Sequence, residues 1–248
     1  MSSLARSLKS TRLTAYAAYT RSPLQSVLFI LPALIVYELG LFFFNHSDIT
    51  GIRNGADVLM RHFYALFGLY GFYAFAASLL LAIGITFWVE YHGHGRIAIE
   101  PLYYLWMVGE SLLYGAILFI VLSKVASVNI RIPPLFGPSV WQRVVLALGA
   151  GIYEEFVFRV IAISGVAALV SLGLNWSKTG AYILGVLVSS VVFAWFHYVG
   201  VYGDVFQVRT FLLRMLAGVL LSVLYVLRGF GITAYAHIVY DFIIIFFV

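Results

Sequence analysis

The sequence predicts an all-α, polytopic membrane protein with about seven transmembrane helices around an intramembrane polar cavity. Two numbers lead to this fold class: 63% of the 248 residues are hydrophobic, and the mean hydropathy is +1.00. Charged residues make up only 10% of the chain, whereas a soluble domain carries about 25%. A soluble fold cannot hide that much apolar surface, and a disordered chain would be far more polar. Since no long stretch alternates apolar and polar residues, a transmembrane β-barrel is not expected.

Each predicted span is an apolar run close to the roughly 20 residues that a bilayer core of about 30 Å requires. The seven runs are 23–45, 68–89, 101–123, 141–170, 180–199, 208–228 and 230–248. An eighth span results if the long fourth run consists of two pieces. Segment 51–66 is amphipathic and is predicted to lie in the membrane interface. Residues 1–248 are interpreted as a single integral membrane domain.

The distribution of charged residues predicts the side of the membrane on which the N-terminus lies, and it indicates which partners are not expected. Residues 1–22 form a basic arm without acidic residues, which by the positive-inside rule predicts a cytoplasmic N-terminus. The membrane would be the inner membrane of a prokaryote or the endoplasmic reticulum of a eukaryote. The net charge of +5 is spread over this arm and scattered loops, so no nucleic-acid partner is expected.

The residue types available for chemistry are limited because the chain contains no cysteine. Cysteine nucleophiles and thiolate zinc sites are therefore excluded. Any catalytic group must be Glu, Asp, His, Ser or Tyr.

Ionisable residues inside the predicted spans are the strongest functional signal. Each charged one costs roughly 2.5–3.5 kcal/mol on insertion scales, so together they must be paired, protonated or placed in a wet cavity. They are Glu38, Glu110, Glu154, Glu155, Arg159 and Asp241, with His197 and His237 beside them. Glu38 is expected to be a packing or helix–helix hydrogen-bonding group, and so is Glu110, unless it lines the cavity. Asp204, Arg209 and Arg214 are interpreted as ordinary loop or helix-end charges.

Helical spacing indicates which of these groups share a face. Two pairs lie four residues apart, Glu155 with Arg159 and His237 with Asp241. Glu154 lies about 100° around the helix from Glu155, so it stays available. Glu154, His197 and His237 come from three different predicted helices. An acid and two imidazoles that converge in a buried, wet pocket are what general acid–base hydrolysis needs.

Three motifs carry a resemblance to a known family. They read E-E-x-x-x-R at 154–159, F-x-x-x-H at 193–197 and H-x-x-x-D at 237–241. In this order, on successive hydrophobic helices, they resemble the CAAX-protease and bacteriocin-processing (CPBP, or abortive-infection) family of intramembrane proteases, whose eukaryotic members trim prenylated proteins. The resemblance covers about residues 141–245, which would form the catalytic core, whereas residues 1–140 carry no matching motif.

The resemblance implies an intramembrane endopeptidase that hydrolyses a peptide bond of a membrane-associated or lipidated protein. Glu154 and His197 would hold and activate the attacking water, and His237 with the residue at 241 would stabilise the oxyanion. Glu155 and Arg159 would brace the site as a structural ion pair. The bilayer and a membrane protein or lipidated peptide are the implied partners.

Cofactor dependence stays open in the resemblance, because the family has been described both as metalloproteases and as glutamate proteases. The glutamate type without a metal is favoured. Zinc or another divalent ion is the alternative, with Glu154, His197, His237 and Asp241 as ligands. The family often has Asn where this chain has Asp241. A carboxylate there would repel an oxyanion, so Asp241 is protonated, orients His237 or ligates a metal.

The depth of the two water-activating residues poses a geometric question. In a straight helix over 141–170, Glu154 would lie about 20 Å from the helix start, while His197 ends the fifth span. A helix break at Gly149 and Gly151 would bring the two residues to the same end.

Other functions fit the sequence less well. The absence of H-E-x-x-H excludes a zinc site-2 protease, and the rhomboid G-x-S-G pattern lacks its first glycine at Ala162. A proton-coupled transporter or lipid carrier could use the Glu/His/Arg cluster as a relay, but it predicts inverted repeats and broken helices, and the sequence has neither. A non-catalytic membrane interaction or immunity protein is a third interpretation, against which the complete Glu/His/His set argues.

Overall fold

The computed structural model describes residues 14–44, 55–68, 70–94, 99–126, 140–200 and 203–247, with only the backbone given for 44, 71–80, 94 and 247. All regular secondary structure in these ranges is helical, which confirms the predicted all-α class. The helices are α1 (14–21), α2 (Pro23–Phe44), α3 (Gly55–Ala65), α4 (Gly71–His94), α5 (Pro101–Ala126), α6 (Val140–Gly173), α7 (Lys178–Phe196), α8 (Val208–Arg228) and α9 (Phe230–Phe247).

Five of the described helices are long and apolar enough to cross a membrane: α2, α5, α6, α7 and α8. Helix α9 is also apolar, but its candidate stretch, Phe230–Phe246, is shorter. Helix α4 occupies the predicted 68–89 segment. The chain is thus a multi-pass membrane protein, and the count of seven spans stays a prediction. Residues 1–13 of the basic arm and 51–54 of the predicted interfacial segment lie outside the described residues. Helix α3 forms residues 55–65 of that segment.

The fourth apolar segment is one continuous helix, α6, rather than two pieces. The break expected at Gly149 and Gly151 is therefore wrong. Gly149 has helical angles, with φ −62° and ψ −42°. After it the helix widens into π-helical turns over Ala150–Glu154 and Phe156–Ile163. Such turns are rare and occur frequently at functional sites.

Gly151 allows α6 and α9 to pack closely and does not break α6. A Cβ at Gly151 would lie 2.7 Å from the carbonyl oxygen of Ala234 on α9. On the other side of α9, a Cβ at Gly115 of α5 would lie 2.8 Å from the carbonyl oxygen of Ala236. Small residues let membrane helices approach this closely. Helix α9 is therefore held between α5 and α6, and it also packs against α2 and α8.

The packing of the last four helices positions the three motifs. Helix α7 packs against both α6 and α8, so the helices with E-E-x-x-x-R, F-x-x-x-H and H-x-x-x-D are neighbours in one bundle. A buried cluster joins α2, α6 and α9, formed by Ile30, Tyr37, Leu148, Ile152, Ile238 and their neighbours. At the α6–α7 contact, the buried hydroxyl of Ser189 donates to the carbonyl oxygen of Phe158 in the π-helical segment.

Two acidic residues outside the motifs join helices, as expected. Glu110 on α5 accepts from the Tyr16 hydroxyl at 2.9 Å and pairs with Arg228 at 2.7 Å. Glu38 on α2 accepts from the Tyr153 hydroxyl at 3.1 Å and pairs with Arg61 of α3 at 3.0 Å. Each of these two carboxylates therefore links helices through a hydrogen bond and an ion pair.

The Arg61 network fastens α3 to the helix that bears the acidic doublet. Arg61 Nε lies 2.7 Å from Asp57 Oδ1, and the Tyr37 hydroxyl donates to Asp57 Oδ2 at 2.9 Å. Asp57 is almost fully buried. Because Tyr153 directly precedes Glu154 in the chain, this network ends beside the candidate site.

Candidate active site

Glu155 and Arg159 form a fully buried ion pair within α6. Arg159 Nε lies 3.0 Å from Glu155 Oε2, and both side chains are 0% exposed. The guanidinium also stacks over the ring of Phe193, 4.5 Å from its centroid. A lone charge at this depth would be very costly, so each residue offsets the burial cost of the other.

The second oxygen of Glu155 contacts His237, which the sequence analysis did not anticipate. His237 Nδ1 lies 2.8 Å from Glu155 Oε1. A carboxylate can only accept, so Nδ1 carries the proton and Nε2 is left for other partners. Glu155 thus connects Arg159 on its own helix to His237 on α9. This contact depends on how α6 packs against α9, and helical spacing within one chain segment carries no signal for it.

The predicted partner of His237, Asp241, lies farther away. His237 Nε2 and Asp241 Oδ2 are 3.8 Å apart, which is too long for a hydrogen bond. The two side chains share a helix face, as their spacing predicted, but Glu155 is the residue that orients the imidazole ring.

His197 directly follows the last residue of α7 and has its own orienting bond. Its Nδ1 lies 2.8 Å from the carbonyl oxygen of Phe193, so Nδ1 carries the proton and Nε2 of the neutral ring is an acceptor. The ring of Phe193 contacts both histidines, with its centroid 5.0 Å from that of His197 and 6.3 Å from that of His237. Both imidazoles therefore have a fixed Nδ1 and an available Nε2.

Glu154 is close to the same groups. Its side chain is buried, at 7% exposure, and its charge acts on His197, His237 and Asp241. Residues from α6, α9 and the end of α7 thus come within electrostatic range of one another. Helix α6 has no break in this arrangement.

A cavity of about 380 Å³ opens beside the histidines. Its wall is mainly apolar and is formed by α5, α7, α8 and α9, and it includes His197, His237 and Asp241. Glu154 lies outside the lining that the described residues form. One polar cavity shared by all four residues therefore stays a prediction.

Arg214 on α8 also lines this cavity. It forms an ion pair with Asp204, and its guanidinium lies over the ring of Tyr198, 5.0 Å from the centroid. The interpretation of Arg214 as an ordinary helix-end charge is therefore incomplete. The reason is that α8 packs against α7, which brings the residue to the end where His197 lies.

A divalent metal held by Glu154, His197, His237 and Asp241 stays a prediction. Among the residues that the structure describes, no group of three or more His, Asp or Glu side chains is placed to hold one. The Nδ1 atoms of both histidines are engaged by protein acceptors. Only their Nε2 atoms remain for a ligand.

Comparison with protein families matches residues 136–243 to the family described as Type II CAAX prenyl endopeptidase Rce1-like. Comparison with curated proteins and with solved structures gave no match. The matched region is a little under half of the 248 residues and contains the acidic doublet and both histidines. Residues 136–243 are thus similar to the Rce1-like CAAX endopeptidase family, and the resemblance drawn from the three motifs is confirmed.

Proposed function

We propose that this protein is an intramembrane endopeptidase that hydrolyses a peptide bond of a membrane-associated or lipidated protein. The observation that carries the proposal is the pair of oriented imidazoles beside a buried carboxylate. His197 and His237 each have Nδ1 bound to a protein acceptor, both line one cavity, and the charge of Glu154 acts on both. Cavities of this size, about 380 Å³, are typical of small-ligand sites.

Water is the nucleophile in this proposal, because the chain has no cysteine and the motifs include no activated serine. Glu154 and His197 together hold the water and accept its proton as its oxygen attacks the carbonyl carbon of the substrate. The bare Nε2 of neutral His197 suits this acceptor role. The accepted proton then passes to the leaving amine as the C–N bond breaks.

His237 stabilises the negative charge that develops on the carbonyl oxygen. Because its Nδ1–H already donates to Glu155, the ring must also carry a proton on Nε2 to donate to the oxyanion. The carboxylates of Glu155 and Asp241 can balance the charge of that form. Arg159 in turn neutralises Glu155, so the ring keeps its orientation throughout the reaction.

Asp241 acts on His237 rather than on the substrate oxygen. At 3.8 Å from His237 Nε2, it is placed to attract the protonated ring while the oxyanion binds. This gives an aspartate a role where the resemblance leads one to expect asparagine.

The test is cleavage of membrane-protein and lipidated peptides by the purified chain in detergent. Glu154→Gln and His197→Ala should be almost inactive. Losing one oxyanion donor costs about 100- to 1000-fold in rate, so His237→Ala should keep a trace of activity. Glu110→Gln is the matched control, because it also removes a helix carboxylate but in the separate Tyr16–Arg228 network.

Unchanged cleavage by Glu154→Gln would refute the proposal. A parallel series with a chelator decides metal dependence, since full activity after exhaustive chelation is expected for the glutamate mechanism. Proton-coupled transport or lipid exchange by proteoliposomes, with no cleavage of any peptide, would favour the transporter or carrier instead. Specific partner binding without either activity would favour a non-catalytic role.

A further inference from the structure

We infer that Arg214 forms a carboxylate-binding subsite in the wall of the cavity, which selects substrates with a carboxylate near the cleaved bond. The statement that the substrate is a peptide rests on the proposed function. The presence of an anion site does not, since it follows from the cavity itself.

The guanidinium of Arg214 has a hydrogen-bond donor that no described residue uses. Arg214 Nη1 is buried and has no hydrogen-bond partner among the described residues, while Nη2 pairs with Asp204. A buried donor without an acceptor costs about 1–3 kcal/mol, so the residue would be better satisfied with a ligand in place. The stacking of the guanidinium on Tyr198 holds it in one orientation.

The second argument is the contrast between Arg214 and the wall around it. The lining includes Leu118, Leu122, Leu213, Leu221 and Ile244, which suit apolar side chains. Arg214 is the one lysine or arginine among the described lining residues. A site of this kind binds an apolar ligand and uses its few polar groups to fix orientation.

The third argument concerns the position of a bound anion. Asp241 lines the same cavity and repels a carboxylate, so the ligand anion is directed to Arg214 and away from Asp241. Arg214 and His197 line the same cavity, so a group bound to Arg214 shares that cavity with the imidazole that the mechanism uses. A carboxylate held there would place the neighbouring peptide bonds near that imidazole.

A carboxylate fits better than a phosphate. Asp204 already balances part of the charge of Arg214, and its side chain is 43% exposed, so solvent screens it. The remaining donor matches a single negative charge, whereas a phosphate brings more charge and needs more donors than Nη1 supplies. The carboxylate can be the C-terminus of a peptide or an Asp or Glu side chain.

The experiment measures peptide binding to the full chain carrying Glu154→Gln, so that no cleavage interferes. Three versions of one fluorescent apolar peptide are compared by anisotropy in detergent: free C-terminal carboxylate, C-terminal amide, and amide with one internal Asp. Loss of a charge-assisted hydrogen bond should weaken binding of the amide about 10- to 100-fold. The internal Asp restores affinity if a side-chain carboxylate can take the subsite.

Arg214→Gln should abolish the preference for a carboxylate, and Arg214→Lys should keep part of it because the charge remains. Arg209→Gln is the matched control, since Arg209 lies on the same helix but outside the lining of this cavity. Asp204→Asn should keep or strengthen the preference, whereas a purely loop-anchoring Arg214 would make Asp204→Asn and Arg214→Gln alike.

Equal affinities for carboxylate and amide in the unmodified cavity, or an unchanged preference in Arg214→Gln, would overturn the inference. Stronger competition by dodecyl phosphate than by dodecanoate would assign the site to a lipid headgroup instead. A carboxylate preference that survives while no peptide is ever cleaved would count against the proposed function and leave the subsite standing.

Discussion

Replacing Arg159 by methionine should destabilise the protein strongly, because it strands the carboxylate of Glu155. Methionine retains most of the length of the side chain but removes the charge. Both members of the pair are 0% exposed and 3.0 Å apart, so water cannot take the place of the guanidinium. Removing one partner of such a buried pair costs about 3–5 kcal/mol. The lost stacking on Phe193 adds to this loss.

The assay is thermal or denaturant unfolding of the purified protein in one detergent. Arg228→Met is the internal comparison, since Arg228 and Glu110 also form a helix–helix ion pair but are 14% and 26% exposed. Partly exposed pairs contribute about 0–1 kcal/mol, so Arg228→Met should cost clearly less. The double variant Arg159→Met with Glu155→Gln should recover part of the loss, because no uncompensated charge is left.

Equal losses for Arg159→Met and Arg228→Met would show that burial does not govern the strength of the Glu155 pair. The double variant should remain inactive even when stable, since His237 loses its carboxylate partner. Recovery of both stability and activity in that variant would contradict the role given to Glu155.

Two further changes test the packing around the site. Gly151→Ala should lower stability by about 1–3 kcal/mol through overpacking and reduce cleavage, because its Cβ would meet the carbonyl oxygen of Ala234 at 2.7 Å. Gly165→Ala is its control, since nothing lies within 4 Å of that Cβ, and equal effects in a thermal-shift series would sink the argument. Arg61→Gln should cost about 1.5–3 kcal/mol by removing hydrogen bonds to carboxylates, including that to buried Asp57. An unchanged free energy of unfolding of that variant would mean that the Arg61 network does not hold α3 in place.

The sequence alone indicated that this protein folds in a membrane and not in water. High hydropathy and few charges exclude a soluble domain. Five of the seven predicted apolar runs coincide with described helices that are long and apolar enough to cross a membrane. It also predicted the ion pair partners within one helix, since residues four apart share a face whatever the rest of the chain does. The motifs could be recognised for the same reason, because their spacing is local.

Contacts between helices could not be derived in this way. The bond from His237 to Glu155 joins residues 82 positions apart, on helices α6 and α9, which approach closely at Gly151. The same glycine suggested a helix break, because a sequence shows that glycine permits several backbone conformations but not which one packing selects. In the structure, packing against Ala234 and Ile238 selects the helical one.

Arg214 illustrates the limit most clearly. Its sequence context is that of a charge near a helix end, and nothing local separates it from Arg209. The tertiary structure decides the difference, because the face of α8 that packs toward α7 and α9 carries Arg214 into the cavity wall. Composition and spacing determine which ionisable groups lie in membrane helices and therefore need partners. The packing of the helices determines which partners they have.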